Sequence, residues 1–123
     1  MKALIVDDSQ IMRRIIVSVL KKAGVNDIAE VSNGQEALDL LAQSNDIGLV
    51  LLDWNMPVMT GIETLKHIRT TNKQLPVVMV TTESEKEKVV EAIKAGANDY
   101  LLKPFNPQDV LDKLQKHLEA VKK

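Results

Sequence analysis

The chain has no cysteine and very few aromatic residues. Its 123 residues include one tryptophan, one tyrosine and one phenylalanine. Without cysteine there can be no disulfide framework and no thiolate metal site. With so few rings, the sequence also offers little for stacking nucleic-acid bases or a flavin. The composition therefore favours an intracellular protein that uses groups other than thiols and aromatic rings.

Long apolar runs and an excess of charge are absent too. Apolar residues make up 45% of the chain, yet no run of them approaches the about 20 residues that a membrane-spanning helix needs. The net charge of −1 supplies no general attraction to nucleic-acid phosphates. The first apolar run, residues 3–6, is too short for a secretory signal and ends in two acids. We therefore expect a soluble cytoplasmic protein that binds neither membrane nor nucleic acid.

Short apolar runs alternate with segments of helical periodicity along the whole chain. The length suits one domain, and we predict a single domain over residues 1–123. Strict alternation with continuous apolar strands predicts a parallel sheet that helices cover on both sides. Five strand–helix units are too few for a closed barrel of eight strands. We predict an α/β fold of flavodoxin type, a doubly wound (βα)5 with five parallel strands in the order 2-1-3-4-5.

The predicted helices are expected to bury their apolar residues against this sheet. In the first and fourth helices, apolar residues recur every three or four positions, which indicates one inward face in each. The residues assigned to these two faces are Ile11, Met12, Ile15, Ile16, Val19, Leu20 and Ala23, and Val89, Val90, Ile93 and Ala97. Because these assignments leave no long exposed apolar stripe, we expect a monomer.

Polar residues stand at the points where the predicted strands end. The first strand ends at Asp7-Asp8, the third at Asp53, the fourth at Thr81 and the fifth at Lys103. The carboxyl ends of parallel strands meet at one edge of the sheet, where open α/β sheets place their sites. We therefore expect the carboxylates, the hydroxyl and the ammonium group to converge there.

Three carboxylates in close contact cannot all stay ionised without a compensating charge, and one lysine is insufficient. A hard divalent cation with oxygen ligands, such as partly hydrated Mg²⁺, would supply that charge. Asp53 would then be a nucleophile toward a phosphoryl group and would form an aspartyl phosphate. Thr81 and Lys103 would contact the phosphoryl oxygens. Each residue alone has a simpler interpretation as a helix cap, a turn residue or a solvated charge, but their joint placement favours the site.

At these residues the sequence resembles the response-regulator receiver family, and the resemblance covers the whole chain. The family's signature is an acidic pair after the first strand, a phosphorylated aspartate after the third, Ser or Thr after the fourth and Lys-Pro after the fifth. The matching residues are Asp7-Asp8, Asp53, Thr81 and Lys103-Pro104. Several stretches are similar to the chemotaxis members of the family in particular, among them residues 53–57, 79–81 and 103–105.

The resemblance implies that a histidine kinase phosphorylates Asp53 in a Mg²⁺-dependent reaction. It implies that Asp8, Asp53 and the main-chain carbonyl of Asn55 bind the Mg²⁺ ion, with Asp7 holding a metal-bound water. The only chemistry of its own that it implies is self-phosphorylation from a phosphodonor and autodephosphorylation. We therefore expect a regulator of a two-component system rather than an enzyme.

The resemblance also implies how the phosphorylated state is read. Tyr100 would be the switch aromatic that turns inward as Thr81 moves, and Asn55 and Glu83 would tune the rate of dephosphorylation. The face formed by residues 84–121 would bind a downstream protein, with the flagellar motor switch as the expected target. The other expected partners are the kinase and a phosphatase.

Alternative functions stay open at this point. A phosphorelay intermediate or a phosphate sink would use the same chemistry without acting on the motor. A phosphohydrolase with an aspartyl nucleophile often has a second aspartate two residues on, and this chain has Asn55 there. A flavin-binding module would need hydrogen-bond donors where Asp7-Asp8 stand. A scaffold that is never phosphorylated would not require the complete set of site residues.

Overall fold

The computed structural model describes residues 2–44, 46–81, 86–102, 108–109, 111–113 and 115–116. The strands are β1 (Lys2–Val6), β2 (Asp27–Val31), β3 (Ile47–Asp53), β4 (Val77–Thr81) and β5 (Asp99–Leu102). The helices are α1 (Gln10–Lys22), α2 (Gly34–Gln43), α3 (Gly61–Thr71) and α4 (Lys86–Lys94). The described residues from 108 to 116 are also helical. No helix in the described part of the chain has the length and apolar character needed to cross a lipid bilayer.

The strands form one parallel sheet in the order β2-β1-β3-β4-β5. This confirms the predicted doubly wound α/β fold and its strand order. The central strand β3 is buried at every position except Gly48, which is half-buried. The connections leave β1 and β3 toward opposite sides of the sheet, so a crevice opens between the carboxyl ends of these two strands.

Each face of the sheet has its own hydrophobic core, because successive residues of a strand point to opposite faces. On one face, Leu52 of β3 packs in a core with Leu65 of α3 and Ala92 of α4. On the other face, Leu51 packs in a core with Ile16 and Leu20 of α1. Neither face of the central strand therefore meets solvent.

The inward face predicted for α1 is too broad. Ile16, Val19 and Leu20 are buried, but Ile11 and Ile15 are 73% and 41% exposed. Residues four positions apart drift around a helix by about 40° per step, since four residues turn by slightly more than one full turn. The row that starts at Ile11 therefore begins on the solvent side and reaches the sheet-facing side only at Val19, so the prediction that Ile11 and Ile15 point inward is wrong.

The same correction applies to α4. Ala92 is fully buried, whereas Val90 and Ile93 are 41% and 49% exposed, so the prediction that both point inward is also wrong. A helix that packs on a sheet buries only one stripe, and small residues let it approach closely. The expectation of a monomer rested on these inward assignments and loses that support.

Local capping sets the ends of several helices. Ser9 caps α1, where its Oγ accepts a hydrogen bond from the Met12 N–H at 3.2 Å. Gly24, just past the end of this helix, has a φ of +92°, which residues with a Cβ rarely adopt. The stretch Thr60-Gly61-Ile62-Glu63 predicts a capping box, and Thr60 and Glu63 form it at the start of α3. The sequence also predicts a second capping box, formed by Ser84 and Glu87, which begins outside the described residues.

Candidate functional site

Three carboxylates meet at the carboxyl ends of β1 and β3. Asp7 and Asp8 follow β1, Asp53 ends β3, and the register pairs Val6 with Leu52, so the two strand ends lie level. One carboxylate oxygen from each acid lies within 4.8 Å of the others. Asp7 and Asp53 are only 1% and 5% exposed, while Asp8 is exposed. The structure thus brings together the acids that the sequence placed at these strand ends.

This donor set fits a divalent cation. Three carboxylates held this close repel one another, and a cation between them would offset that repulsion. A hard cation such as Mg²⁺ prefers oxygen ligands and keeps several waters, which suits a site with one exposed acid. Asp7 is already oriented for such a role, because its Oδ1 accepts a hydrogen bond from the Ser9 N–H at 2.8 Å.

The chain returns closely against Asp53 at the start of α3. The Gly61 N–H donates to the carbonyl oxygen of Trp54 at 2.8 Å. A Cβ atom on Gly61 would lie 2.1 Å from the main-chain oxygen of Asp53, so this approach requires glycine. Sequence reasoning identified the capping box at Thr60 but missed the role of Gly61. The available signal was a glycine at the first position of a helix, where it has low helix propensity.

The loop between β3 and α3 contains a tight turn. Val58 has a φ of 72°, and the Met59 N–H donates to the Pro57 carbonyl at 2.7 Å. This is the hydrogen bond of a γ-turn, a strained conformation for a β-branched residue. Val58 is also 79% exposed. Asn55, whose main-chain carbonyl is a predicted metal ligand, is exposed in the same loop.

Thr81 lies on β4, the strand next to Asp53, and Tyr100 lies on β5, one strand further out. The register pairs Asp53 with Val80, so Thr81 stands one residue beyond this level on β4, and it is fully buried. Tyr100 pairs with Met79 and is 9% exposed, within the core on the α3 and α4 side. Lys103 and Glu83, the remaining predicted site residues, lie outside the described residues.

Trp54 connects the end of β3 with α4. Its side chain is 5% exposed, and the Nζ of Lys88 lies 5.6 Å from the centroid of its ring. This geometry corresponds to a cation–π contact. Sequence reasoning missed the pair, because nothing in the local pattern around Lys88 indicates which ring it meets.

Comparison with known proteins places the chain in a family. Residues 3–115 match the response regulator receiver domain. A chemotaxis protein CheY homolog of Campylobacter jejuni is 47% identical over 117 residues, which cover 94% of this chain and 90% of that protein. Chemotaxis protein CheY-3 of Vibrio cholerae is 45% identical over 123 residues, 98% of this chain and 94% of that protein. The chain belongs to the response regulator receiver domain family.

The solved structures agree with this assignment. The chemotaxis response regulator CheY4 of Vibrio cholerae superposes with a TM-score of 0.86 at 40% identity, over 94% of this chain and 97% of that one. The protein is a receiver-domain response regulator, similar to the CheY chemotaxis proteins. Proteins of this family are regulators rather than classical enzymes, and they bind Mg²⁺ at an acidic pocket. In this chain the corresponding pocket is the cluster of Asp7, Asp8 and Asp53.

Proposed function

We propose that this protein is a single-domain cytoplasmic switch of chemotaxis, in which a histidine kinase phosphorylates Asp53. The observation that carries the proposal is the cluster of three carboxylates at the switch point of the sheet, with buried Asp53 on the central strand. The similarity to CheY proteins supports the role in chemotaxis. The flagellar motor switch is the proposed downstream target, and a phosphatase is the proposed partner that resets the protein.

The acids would hold one Mg²⁺ ion. Asp8, Asp53 and the main-chain carbonyl of Asn55 are the proposed direct ligands, and Asp7 is the proposed holder of a metal-bound water. When bound, the ion supplies positive charge that offsets the carboxylates and the transferring phosphoryl group. The burial of Asp7 and Asp53 strengthens these interactions, because nearby charges interact more strongly where water is excluded.

Asp53 performs the chemistry as a nucleophile. A carboxylate oxygen forms a bond to the phosphorus of a phosphohistidine while the phosphorus–nitrogen bond breaks, and the electron pair of that bond stays on the imidazole nitrogen. No general base is required, because an ionised carboxylate is already nucleophilic. Thr81 and Lys103 are the proposed contacts of the phosphoryl oxygens. Asn55 and Glu83 are the proposed determinants of the hydrolysis rate.

Exposed apolar residues of α4 and β5 support an output surface on that side of the molecule. A phosphoryl group adds negative charge and acceptor oxygens at Asp53, and Thr81 and Tyr100 lie on the strands that lead from there toward α4. Val90, Ile93 and Leu102 are 41%, 49% and 43% exposed. Apolar side chains of this size at the surface are suited to a protein partner.

The apolar residues of α1 support a second surface beside the site. Asp53 is 5% exposed, so a kinase must press its phosphohistidine closely against the carboxyl edge of the sheet. Ile11 and Ile15 are 73% and 41% exposed on α1, whose N-cap Ser9 directly follows Asp8. We therefore assign this part of α1 to contact with the phosphodonor protein.

The proposal is tested by incubation with acetyl phosphate and Mg²⁺, followed by intact-mass measurement. We expect one added phosphoryl group in the wild type and in the control variant Asp39→Asn, whose aspartate lies on the exposed side of α2. Asp53→Asn should show no gain in mass. A wild type that gains no mass, or an Asp53→Asn variant that still does, contradicts the proposal.

The role in chemotaxis needs a separate measurement. We expect the phosphorylated protein to bind a motor-switch peptide more tightly than the unphosphorylated protein, because the switch changes the output surface. Ile93→Ser should reduce this binding without affecting the gain in mass. Equal affinity with and without the phosphoryl group would contradict the role in chemotaxis. It would favour a protein that is phosphorylated but has another role, such as that of a phosphorelay intermediate.

A further inference from the structure

Arg13 reaches from α1 back to the end of β1. Its Nη1 donates a hydrogen bond to the main-chain oxygen of Asp7. Its Nε donates to Oε1 of Glu30 on β2 at 3.3 Å. The side chain of Arg13 is only 17% exposed, so its guanidinium group is held between the end of β1 and β2. Arg14, the next residue, has the same chemistry but is exposed.

The backbone of Asp7 is held at both of its polar groups. Its N–H donates to the Val31 carbonyl at 3.2 Å, and its carbonyl accepts the hydrogen bond from Arg13. That carbonyl belongs to the planar peptide unit that joins Asp7 to Asp8. The orientation of this plane sets the direction in which the chain leaves β1. It therefore sets where the carboxylate of Asp8 stands relative to that of Asp53.

We propose that Arg13 is a positioning residue for the cation site, acting through the Asp7 carbonyl to hold the acidic pair in its binding geometry. The inference rests on the proposed function, in which these acids bind Mg²⁺. Groups that hold metal ligands in place, without touching the metal, commonly change metal affinity by about 10-fold or more when they are removed. A hydrogen bond to the Asp7 carbonyl can act in this way, because the peptide unit of that carbonyl joins Asp7 to Asp8, the two residues that carry the carboxylates of the acidic pair.

The electrostatic effect of Arg13 has the opposite sign. A guanidinium near the site repels a divalent cation, so removal of its charge alone would strengthen Mg²⁺ binding. The carboxylate of Glu30, whose Oε1 lies 3.3 Å from the Nε of Arg13, offsets much of that repulsion. Loss of positioning, by contrast, weakens binding. The direction of the change in Mg²⁺ affinity therefore separates the two effects.

The test is a Mg²⁺ titration followed by the fluorescence of Trp54, with isothermal calorimetry as a second readout and no phosphodonor present. We expect Arg13→Met to raise the Mg²⁺ dissociation constant about 10-fold. The matched control Arg14→Met removes an equal charge nearby and should change the constant by less than about 2-fold, in the direction of tighter binding. An unchanged or lower constant in Arg13→Met overturns the inference.

Two further variants separate positioning from general stability. Arg13→Lys keeps the charge and one donor for the Asp7 carbonyl but loses the fork, so it should recover most of the affinity, to within about 3-fold of the wild type. Glu30→Gln keeps the contact between Arg13 and Asp7, and we expect an increase in the constant of no more than about 2-fold. A 10-fold loss of Mg²⁺ affinity in Glu30→Gln, or no recovery of Mg²⁺ affinity in Arg13→Lys, overturns the inference.

Mg²⁺ binding by the wild type distinguishes a failure of this inference from a failure of the proposed function. Circular dichroism of each metal-free variant shows whether the fold is intact, and an affinity that follows only the loss of folded protein counts against positioning. A wild type that binds no Mg²⁺ overturns both the proposed function and the role of Arg13. A wild type that binds Mg²⁺ with the same affinity as folded Arg13→Met overturns the role of Arg13 alone.

Discussion

The end of β3 and the outer face of α4 meet solvent very differently. Asp53 and Trp54 are each 5% exposed, and the backbone of Gly61 lies against the Asp53 carbonyl. On α4, Val90 and Ile93 are 41% and 49% exposed. A site that stabilises charges needs groups fixed in advance around it, whereas a surface that recognises a partner must leave apolar area uncovered. The two regions thus suit the chemistry and the recognition that we propose for them, respectively.

The largest expected difference between these regions is in stability. Leu65 on α3 is fully buried behind β3, so we expect Leu65→Ala to lower the free energy of unfolding by about 3 kcal/mol, through lost burial and a cavity. Ile93→Ala removes a half-exposed side chain and should change it by less than about 0.5 kcal/mol. Urea denaturation measures both. Similar losses in the two variants would mean that the outer face of α4 is packed and is not an open surface.

A smaller effect is expected where the chain approaches Asp53. Gly61→Ala places a Cβ atom 2.1 Å from the Asp53 oxygen, and we expect this clash to destabilise the fold by about 2 kcal/mol. Gly24→Ala is the control, since a Cβ there meets nothing within 4 Å and only the φ of +92° is unfavourable. It should lower stability by about 1 kcal/mol. Gly61→Ala should also slow phosphorylation of Asp53, which the control should not. Equal phosphorylation rates in the two variants would show that this close approach has no role at the site.

The contact between Lys88 and Trp54 joins the two regions, and its removal should have a modest effect. We expect Lys88→Met to reduce stability by about 0.5 kcal/mol through loss of the cation–π contact at 5.6 Å. The emission spectrum of Trp54 should change as well, because the ammonium group lies over its ring. Lys94→Met, an exposed lysine at the end of the same helix, should leave the emission unchanged. Identical spectra for both variants would show that Lys88 does not contact the ring in solution.

The smallest expected effect is on the dependence of stability on pH. Hydrogen bonds from the Thr60 backbone N–H and from its hydroxyl hold the pKa of Glu63 below its ordinary value of 4.5. A lowered pKa in the folded state means that the ionised carboxylate stabilises the fold above that ordinary value and loses this effect as the pH falls through the lowered pKa.

Glu63→Gln keeps an acceptor for the capping box but has no charge to lose. We expect it to be less stable than the wild type near neutral pH, with the difference shrinking as the pH falls below 4.5 and through the lowered pKa of Glu63. Thermal denaturation across this range measures the difference. A difference in stability between the two proteins that stays constant down to the lowest pH would contradict the lowered pKa of Glu63.

The sequence was sufficient for the strands, for their order and for the place where the acids meet. Strand order followed from alternation and the switch-point rule, and Asp7, Asp8 and Asp53 had to share an edge once β1 and β3 were neighbours. The exposure of helix residues was not predictable in the same way. Periodicity identifies which residues share a face but not how far the helix is rotated against the sheet, so Ile11 and Ile93 were placed wrongly.

Residues close in sequence therefore determined the local structure of this protein. Ser9 and the Thr60–Glu63 pair cap their helices through hydrogen bonds that span three residues, and such contacts can be read directly along the chain. Apolar strands ending in polar residues determined the site in the same manner.

The tertiary structure alone decided which distant groups touch. The contact of Arg13 with the Asp7 carbonyl, the approach of Gly61 to Asp53 and the position of Lys88 over Trp54 each join different elements. Contacts of this kind depend on how helices and strands are placed against one another. That placement comes from the packing of the whole core, which no single stretch of the sequence contains.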